Sequence, residues 1–257
     1  MKSGACANTP SARSARAAGK SLDVDALGLG YEHIVVWDAP AQRIAGAYRV
    51  KRGAQALAES GLKGLYTAAL VDYDDDALAR IAQGMELGRS FVAPEYWGSR
   101  SIDYLWQGIG AYLCAHRNVR WLFGLVSMSA ALPLPAREQI VAYYRQFYGA
   151  QGGAASKLPF ECQHAPPDFG DMDADAAFKL LKANLDSIGA SLPMLYKQYT
   201  ELCEPGGARF LAFGIDPDFG DSVDGLIEVD MQRLLPKKRQ RYIERNLARI
   251  AAQEAIA

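Results

Sequence analysis

Alternating hydrophobic and polar positions mark the first strands of the chain. Residues 31–38, YEHIVVWD, and residues 43–50, RIAGAYRV, are rich in β-branched and aromatic side chains, and a proline-containing turn separates them. Two such runs joined by a short turn predict a β-hairpin. A third strand is predicted at MELGRSFVA, residues 85–93, after DYDDDALARIAQG, whose acidic start and final glycine predict a helix.

Helical periodicity and strand-length apolar runs alternate along the middle of the chain. SIDYLWQGIGAYLCAH, residues 101–116, has apolar residues at helical spacing, with Ser101 or Asp103 placed to cap the helix. The apolar run RWLFGLVSMS predicts the next strand, and PAREQIVAYYRQFYG, with proline near its start and glycine at its end, predicts another helix. A hairpin followed by strand–helix alternation indicates one mixed α/β domain.

The C-terminal part continues this mixed pattern after residues 150–175, which are rich in Gly, Pro and Asp and indicate a loop or insertion. Helices are predicted at KLLKANLDSI and PMLYKQYTELC, and strands at GARFLAFGI and DGLIEVD. We therefore predict a domain over residues 23–243 with an insertion near 150–175. A disordered tail over residues 1–22 is expected to precede it, and a basic helix over residues 236–257 to end the chain.

Composition narrows the class of protein. The 257 residues carry 28 Lys and Arg against 29 Asp and Glu, a net charge of −1, so no basic excess indicates nucleic acid binding. The cysteines form no C-x-x-C pair, and His116 and His164 have no ligand-spaced partners, so we expect no metal site. The start of the chain has no apolar signal-peptide core, and no run is long enough to span a membrane, which predicts a cytoplasmic protein.

Two charges in the strand MELGRSFVA stand out. Glu86 and Arg89 lie three residues apart in an otherwise apolar run, where a buried ion is costly unless it is paired or functional. Regular alternation sends the two side chains to opposite faces, but Gly88 between them permits a β-bulge that re-aims one of them. Arg100, just before the next helix, suits a phosphate at the free amides of that helix. The residues alone leave both a structural ion pair and an active site open.

The order of these segments resembles the hemolysin-like branch of the GNAT acyltransferase superfamily. That branch includes the ornithine and glycine lipid N-acyltransferases and is similar to the acyl-homoserine lactone synthases. The resemblance covers about residues 31–243, and its most specific part is E-L-G-R-S followed by V-x-P-E-Y; the phosphate loop is degenerate here as YWGSRS. It implies a central, mostly antiparallel sheet, splayed at one strand pair and flanked by helices. The later FGIDPDFGDSVDGLIEVD resembles the family's C-terminal strand pair.

The resemblance also implies an activity. It implies transfer of a fatty acyl chain, often 3-hydroxylated, from acyl carrier protein to the amine of an ornithine- or glycine-like amino acid, giving a lyso-aminolipid. Acyl-CoA is the other thioester donor, and no tightly bound cofactor is implied. The expected partners are the carrier protein, the amino acid and an anionic membrane, which the basic C-terminal helix suits at the inner face. An acyl-homoserine-lactone-like signal synthase and a non-catalytic acyl- or carrier-protein-binding module are the alternatives.

Carried over by position, the resemblance assigns roles to individual residues. Glu86 matches the carboxylate that acts as general base toward the attacking amine. Arg89 matches the second motif charge, which either supports the strand or contacts the donor. Arg49, at the end of IAGAYRV, matches an arginine suited to the acceptor carboxylate, with a surface arginine as the alternative. A backbone N–H near Val92 is placed to stabilise the oxyanion.

Three further residues belong to the same expectation. His33 matches a D/E-H pair in the first strand, where a structural histidine is the alternative. Ser127 and Ser129 lie where pantetheine or the acyl chain would pass, unless they are ordinary strand-end serines. Proteins of this fold begin with a strand and one or two helices that shape the acceptor pocket, whereas only about 30 residues precede the hairpin here. We expect either a shortened start or another element over the site.

Overall fold

The two alternating runs form the predicted hairpin, in which His33 pairs with Arg49 and Val35 with Ala47. The structure, a computed structural model, describes residues 27–254. The predicted tail over residues 1–22 lies outside the described residues, as do the last three residues of the predicted basic helix. The strands are β1 (Glu32–Asp38), β2 (Arg43–Arg52), β3 (Val71–Tyr73), β4 (Gly84–Val92), β5 (Trp121–Met128), β6 (Ala154–Ser156), β7 (Ala208–Asp216) and β8 (Ser222–Asp230).

Six of these strands form the central sheet, in the order β1-β2-β4-β5-β8-β7. Every neighbouring pair is antiparallel except β4 and β5, which are parallel. The predicted fold class, a mixed α/β fold with a mostly antiparallel sheet flanked by helices, is therefore confirmed. The short strands β3 and β6 form a separate two-stranded sheet. The predicted loop over residues 150–175 therefore contains one short strand, β6.

Helices connect and cover the strands. They are α1 (Gly53–Ser60), α2 (Thr67–Leu70), α3 (Asp75–Ala82), α4 (Ser101–Ala115), α5 (Leu134–Tyr148), α6 (Ala174–Ser187), α7 (Met194–Thr200), α8 (Pro236–Arg239) and α9 (Arg245–Glu254), with a π-helical turn, Gln240–Glu244, between the last two. Buried aromatic and aliphatic side chains of α4, α5 and α7 pack with the sheet into the main core, around Trp106, Tyr144 and Tyr196. Among the described helices, none has both the length and the apolar character needed to cross a membrane.

The parallel strands β4 and β5 stay together for only a short distance. Their register pairs Gly84 with Trp121 and ends at Glu86 with Phe123, although both strands continue well beyond these residues. Gly124 follows directly, and a Cβ there would lie 2.2 Å from the carbonyl oxygen of Leu87. Only glycine allows the two backbones to pass at that separation before they part. The sheet is thus splayed at this strand pair, as predicted.

A β-bulge lies where the strands separate. The register between β2 and β4 shifts between Ala47 and Arg49, opposite Arg89 and Ser90. Arg89 has a φ of 44°, in the left-handed region, whereas Gly88 does not. The predicted bulge is present, but the strained residue is the arginine. The change re-aims Arg89 within an otherwise regular strand.

The start of α4 differs from the prediction. The residue that precedes the helix is Arg100, and neither Ser101 nor Asp103 caps it through its side chain. Asp103 instead accepts hydrogen bonds from Arg241 at 2.6 Å and Tyr242 at 3.1 Å. The carboxylate of Asp103, which the local sequence suggested as a helix cap, therefore binds the C-terminal segment instead.

Candidate active site

The splay between β4 and β5 opens into a cavity of about 410 Å³. Four of the predicted site residues line it: Arg49, Glu86, Arg89 and Ser127. Asp216 and Asp224 of the C-terminal hairpin also line it, as do the apolar side chains of Leu87, Phe91, Leu125, Leu195 and Phe219. The cavity therefore combines two arginines, three carboxylates and an apolar wall.

Glu86 is the last residue of β4 that pairs with β5, and it is almost fully buried. Its Oε1 accepts a hydrogen bond from the backbone N–H of Thr67 at 2.7 Å, and its Oε2 accepts from the N–H of Tyr66 at 3.1 Å and from the hydroxyl of Tyr31. These donors compensate for the lost hydration of a buried carboxylate. They also fix its orientation toward the cavity.

Arg49, on β2, lines the same cavity as the Glu86 carboxylate. It is 3% exposed, and its guanidinium carbon lies 4.3 Å from the ring centre of Tyr31 and 5.7 Å from that of Tyr66. Burial, followed by the negative charge of Glu86, raises the pKa of Tyr31 far above its usual range, so the phenol stays protonated as a donor. The alternative for this position, a surface arginine, is wrong, because Arg49 is buried and lines the cavity.

Tyr66 connects Glu86 to the acidic part of the cavity. Its backbone N–H donates to Glu86, and its hydroxyl donates to Oδ2 of Asp216 at 2.6 Å. Asp216 is buried at the end of β7, where its Oδ1 accepts from the backbone N–H of Asp218. Burial, followed by the hydrogen bond to Asp216, raises the pKa of Tyr66, whose hydroxyl therefore also stays protonated. One residue therefore links the two carboxylates, through its backbone N–H and its side-chain hydroxyl.

Asp224 is the second buried carboxylate of the hairpin. It pairs with Ser127 of β5, and its Oδ1 accepts a hydrogen bond from the Ser222 hydroxyl at 2.9 Å. Burial is the largest cause that raises the pKa of Asp224 to about 6; the hydroxyls of Ser127 and Ser222 lower it, and the charge of Asp216 raises it. A carboxyl group with such a pKa changes charge close to neutral pH.

The remaining predicted residues lie outside the lining of this cavity. His33 is exposed on β1, and Arg100 pairs with Asp103 at 3.5 Å. Val92 lies at the end of β4, beyond the bulge, where its carbonyl accepts from the Trp97 indole. The hydroxyl of Ser129 accepts from the backbone N–H of Ala131, as in an ordinary turn.

The segment from Gly61 to Leu70 covers the cavity from one side. It contains a short 3₁₀-helix, Gly61–Gly64, and helix α2, and it supplies both backbone donors to Glu86. This covering segment comes from the connection between β2 and β4. The start of the chain, on which both expectations for the acceptor side depend, lies outside the described residues, and both remain predictions.

Comparison with known proteins adds the family. A family described as Acetyltransferase (GNAT) domain matches residues 7–107. Glycine N(alpha)-acyltransferase of Phocaeicola vulgatus is 27% identical over 243 residues, covering 88% of this chain and 74% of that protein. L-ornithine N(alpha)-acyltransferase of Rhodobacter capsulatus is 30% identical over 231 residues, covering 87% of this chain and 80% of that protein. The chain therefore belongs to the GNAT superfamily of acyltransferases, in the hemolysin-like branch with the glycine and L-ornithine N(alpha)-acyltransferases.

Proposed function

We propose that this acyltransferase moves a 3-hydroxyacyl or plain fatty acyl chain from a carrier-protein thioester to the α-amine of an amino acid, giving a lyso-aminolipid. The observation that carries the proposal is Glu86, a buried carboxylate facing a cavity at the point where β4 and β5 part. The relatives named for glycine and L-ornithine support an amino acid as the acceptor.

The chemical step needs one proton acceptor. The neutral amine nitrogen attacks the thioester carbon, so a C–N bond forms and the C–S bond breaks. The amine proton passes to Glu86, directly or through a water, and the departing thiolate is protonated to a thiol. A positioned carboxylate base accelerates such a step by roughly 10²- to 10⁴-fold. A thioester is already activated, so no cysteine nucleophile is required.

Arg49 is the group proposed to bind the acceptor carboxylate. A guanidinium can hold a carboxylate through two parallel hydrogen bonds, which fixes orientation as well as position. Stacking on the rings of Tyr31 and Tyr66 holds the guanidinium against one wall of the cavity. The α-amine of an acceptor bound there would lie near Glu86, on the same side of the sheet.

The donor thioester is proposed to enter through the gap between β4 and β5. Arg89, re-aimed by the bulge, and Ser127 on the facing strand line this entrance. The apolar wall formed by Phe91, Leu125 and Leu195 suits the acyl chain.

Carrier-protein docking and peripheral membrane binding are proposed for the basic C-terminal helix. Lys237 and Arg245 are exposed there, whereas Arg239 and Arg241 hold other parts of the protein through hydrogen bonds. The exposed charges suit the acidic surface of a carrier protein or an anionic bilayer at modest, salt-sensitive strength.

Product analysis tests the proposal. Purified protein is incubated with a 3-hydroxyacyl-carrier-protein thioester, or with the matching acyl-CoA, and a pool of amino acids, and the products are read by mass spectrometry. We expect an N-acyl amino acid, with higher kcat/KM for the carrier-bound donor. An acyl lactone would instead identify a signal synthase, and donor binding without turnover would identify a binding module; either result contradicts the proposal.

A further inference from the structure

A second cavity lies outside the candidate active site, between helices α6 and α7. It is a groove of about 490 Å³. Helix α6 contributes Phe178, Leu181 and Leu185 to its lining, and helix α7 contributes Met194 and Gln198, each set at helical spacing. Leu181 and Leu185 are almost fully buried, whereas Met194 is 61% exposed. The groove therefore combines a buried apolar floor with an exposed apolar side chain, which favours an aliphatic ligand.

Positive charge exceeds negative charge around this groove. Three lysines line it against two acids, a net charge of +1, and they are Lys182, Lys197 and Lys238 against Asp186 and Glu201. Lys197 already has a partner in Glu201, at 3.4 Å. Lys182 and Lys238 form no ion pair with any residue that the structure describes. A ligand with one negative charge would balance the lining and pair with these two lysines.

Two uncharged polar side chains, Ser191 and Gln198, also line the groove. Within residues 27–254, neither side chain has a hydrogen-bond partner. A hydroxyl can donate or accept a hydrogen bond, and a carboxamide does both. The amide of an acylated amine carries one donor and one acceptor, so it matches these side chains. A plain fatty acid has no such group.

We infer that the groove between α6 and α7 binds a long-chain N-acyl amino acid. This inference rests on the proposed function, since such a molecule is the product class of the proposed reaction. Its alkyl chain would lie on the apolar floor, and its amide beside Ser191 and Gln198. Its carboxylate would pair with Lys182 and Lys238.

Helix α7 forms part of the wall of both cavities. Leu195 lines the active-site cavity, and its neighbour Met194 lines the groove. Both residues lie in the first turn of α7. A ligand in the groove would therefore contact the helix that supplies Leu195 to the proposed acyl wall. The groove is thus placed to hold the product next to the cavity in which it is proposed to form.

Isothermal titration with N-lauroylglycine, kept below its critical micelle concentration, provides the first test. We expect binding at the groove in addition to any binding in the active-site cavity. The double variant Lys182→Gln/Lys238→Gln should weaken the groove site by roughly tenfold or more, because charge-assisted hydrogen bonds are lost. Lys179→Gln, at an exposed position of α6 outside the groove lining, should keep the wild-type Kd. An unchanged isotherm in the folded double variant would overturn the inference.

Matched ligands test which groups of the molecule are recognised. N-lauroylethanolamine keeps the chain and the amide but has a hydroxyl in place of the carboxylate, so it should bind the groove about tenfold more weakly. This difference should disappear in the double variant. Lauric acid, which lacks the amide, should also bind more weakly than N-lauroylglycine. Tighter binding of dodecyl phosphate would assign the groove to a phosphate lipid, and binding of none of these amphiphiles would favour a protein partner; either result overturns the inference.

Failure of this inference can be told apart from failure of the proposed function. If no N-acyl amino acid forms in the product analysis, but N-lauroylglycine binds wild type and the double variant loses that binding, the groove site stands and the proposed function fails. If N-acyl product forms but the double variant binds N-lauroylglycine as wild type does, the proposed function stands and the groove site fails.

Discussion

At the scale of single residues, Asp224 gives the cavity a measurable dependence on pH. Burial is the first cause of its raised pKa, about 6 against an ordinary 3.8, a difference that corresponds to roughly 3 kcal/mol. The folded protein holds this proton more tightly than the unfolded chain does. The contribution to stability is therefore fully present below pH 3.8 and is lost as the pH rises through about 6. The titratable groups that interact with it include Asp216, Tyr66 and Tyr196.

We predict that Asp224→Asn changes the free energy of unfolding in a pH-dependent way. Asparagine has no proton to lose, so the variant should gain stability relative to wild type by up to roughly 3 kcal/mol between pH 4 and pH 8. Urea denaturation gives the free energy of unfolding of both proteins at pH 4 and pH 8. Comparing the variant-minus-wild-type difference at the two pH values cancels any effect of the substitution that does not depend on pH. A difference that stays the same at both pH values would show that the Asp224 carboxyl group is not perturbed.

The sequence indicated some of these residues and missed others. Glu86 and Arg89 stand out because charges are unusual in an apolar strand. Asp216 and Asp224 do not, because DPDFGDSVD has the composition of an ordinary turn. Only the pairing of β8 with β5 brings Asp224 beside Ser127. The available signal was two aspartates on either side of the turn, in strands that are otherwise mostly apolar.

At the scale of elements, the C-terminal helical segment depends on close contact with α4. A Cβ at Gly110 would lie 1.9 Å from the carbonyl oxygen of Tyr242, so the two backbones touch where the glycine stands. Asn246 adds hydrogen bonds to the carbonyls of Gln107, at 3.1 Å, and Tyr242, at 2.8 Å. The basic helix is thus attached to the domain along one face, and its exposed charges face away.

We predict that Gly110→Ala lowers the Tm, because one backbone must move to admit the methyl group. The expected loss is about 1–3 kcal/mol, the usual range for overpacking. In hydrogen exchange, the increase in rate from wild type to Gly110→Ala should be larger in residues 240–254 than in the sheet. Gly30→Ala is the control, since its Cβ would meet only Lys51 Nζ, at 3.7 Å. Equal Tm values for Gly110→Ala and wild type would mean that the contact is not tight.

Elements were predicted well where the signal is local. Hydrophobic periodicity identified the hairpin, β4, α4, β5 and α5, since each pattern depends on neighbouring residues only. The cap of α4 was wrong because Asp103 binds Arg241, which is distant in sequence. The short pair of β3 and β6 was missed because three-residue strands leave no periodic pattern.

At the scale of the whole molecule, the candidate active site is assembled from distant parts of the chain. Glu86 and Arg49 come from the middle of the sheet, and the hydrogen bond from Tyr66 to Asp216 joins residues 150 positions apart. Hydrophobic patterns do not encode strand order, so the splay was expected from the resemblance to a family and not from spacing. The sheet topology brings the acidic hairpin and the proposed base to one cavity.

Glu86 is proposed to accept the proton of the attacking amine, and kcat for N-acyl product formation in Glu86→Gln and Tyr31→Phe tests this role. Both variants disturb the same hydrogen-bond cluster and should lose stability, because glutamine places an amide donor among donors and phenylalanine removes one donor. Only Glu86→Gln removes the base. We predict that it lowers kcat by roughly 10²- to 10⁴-fold, and that Tyr31→Phe lowers kcat by less than about tenfold. Wild-type kcat in Glu86→Gln, or an equal loss in the two variants, would contradict the proposed role of Glu86.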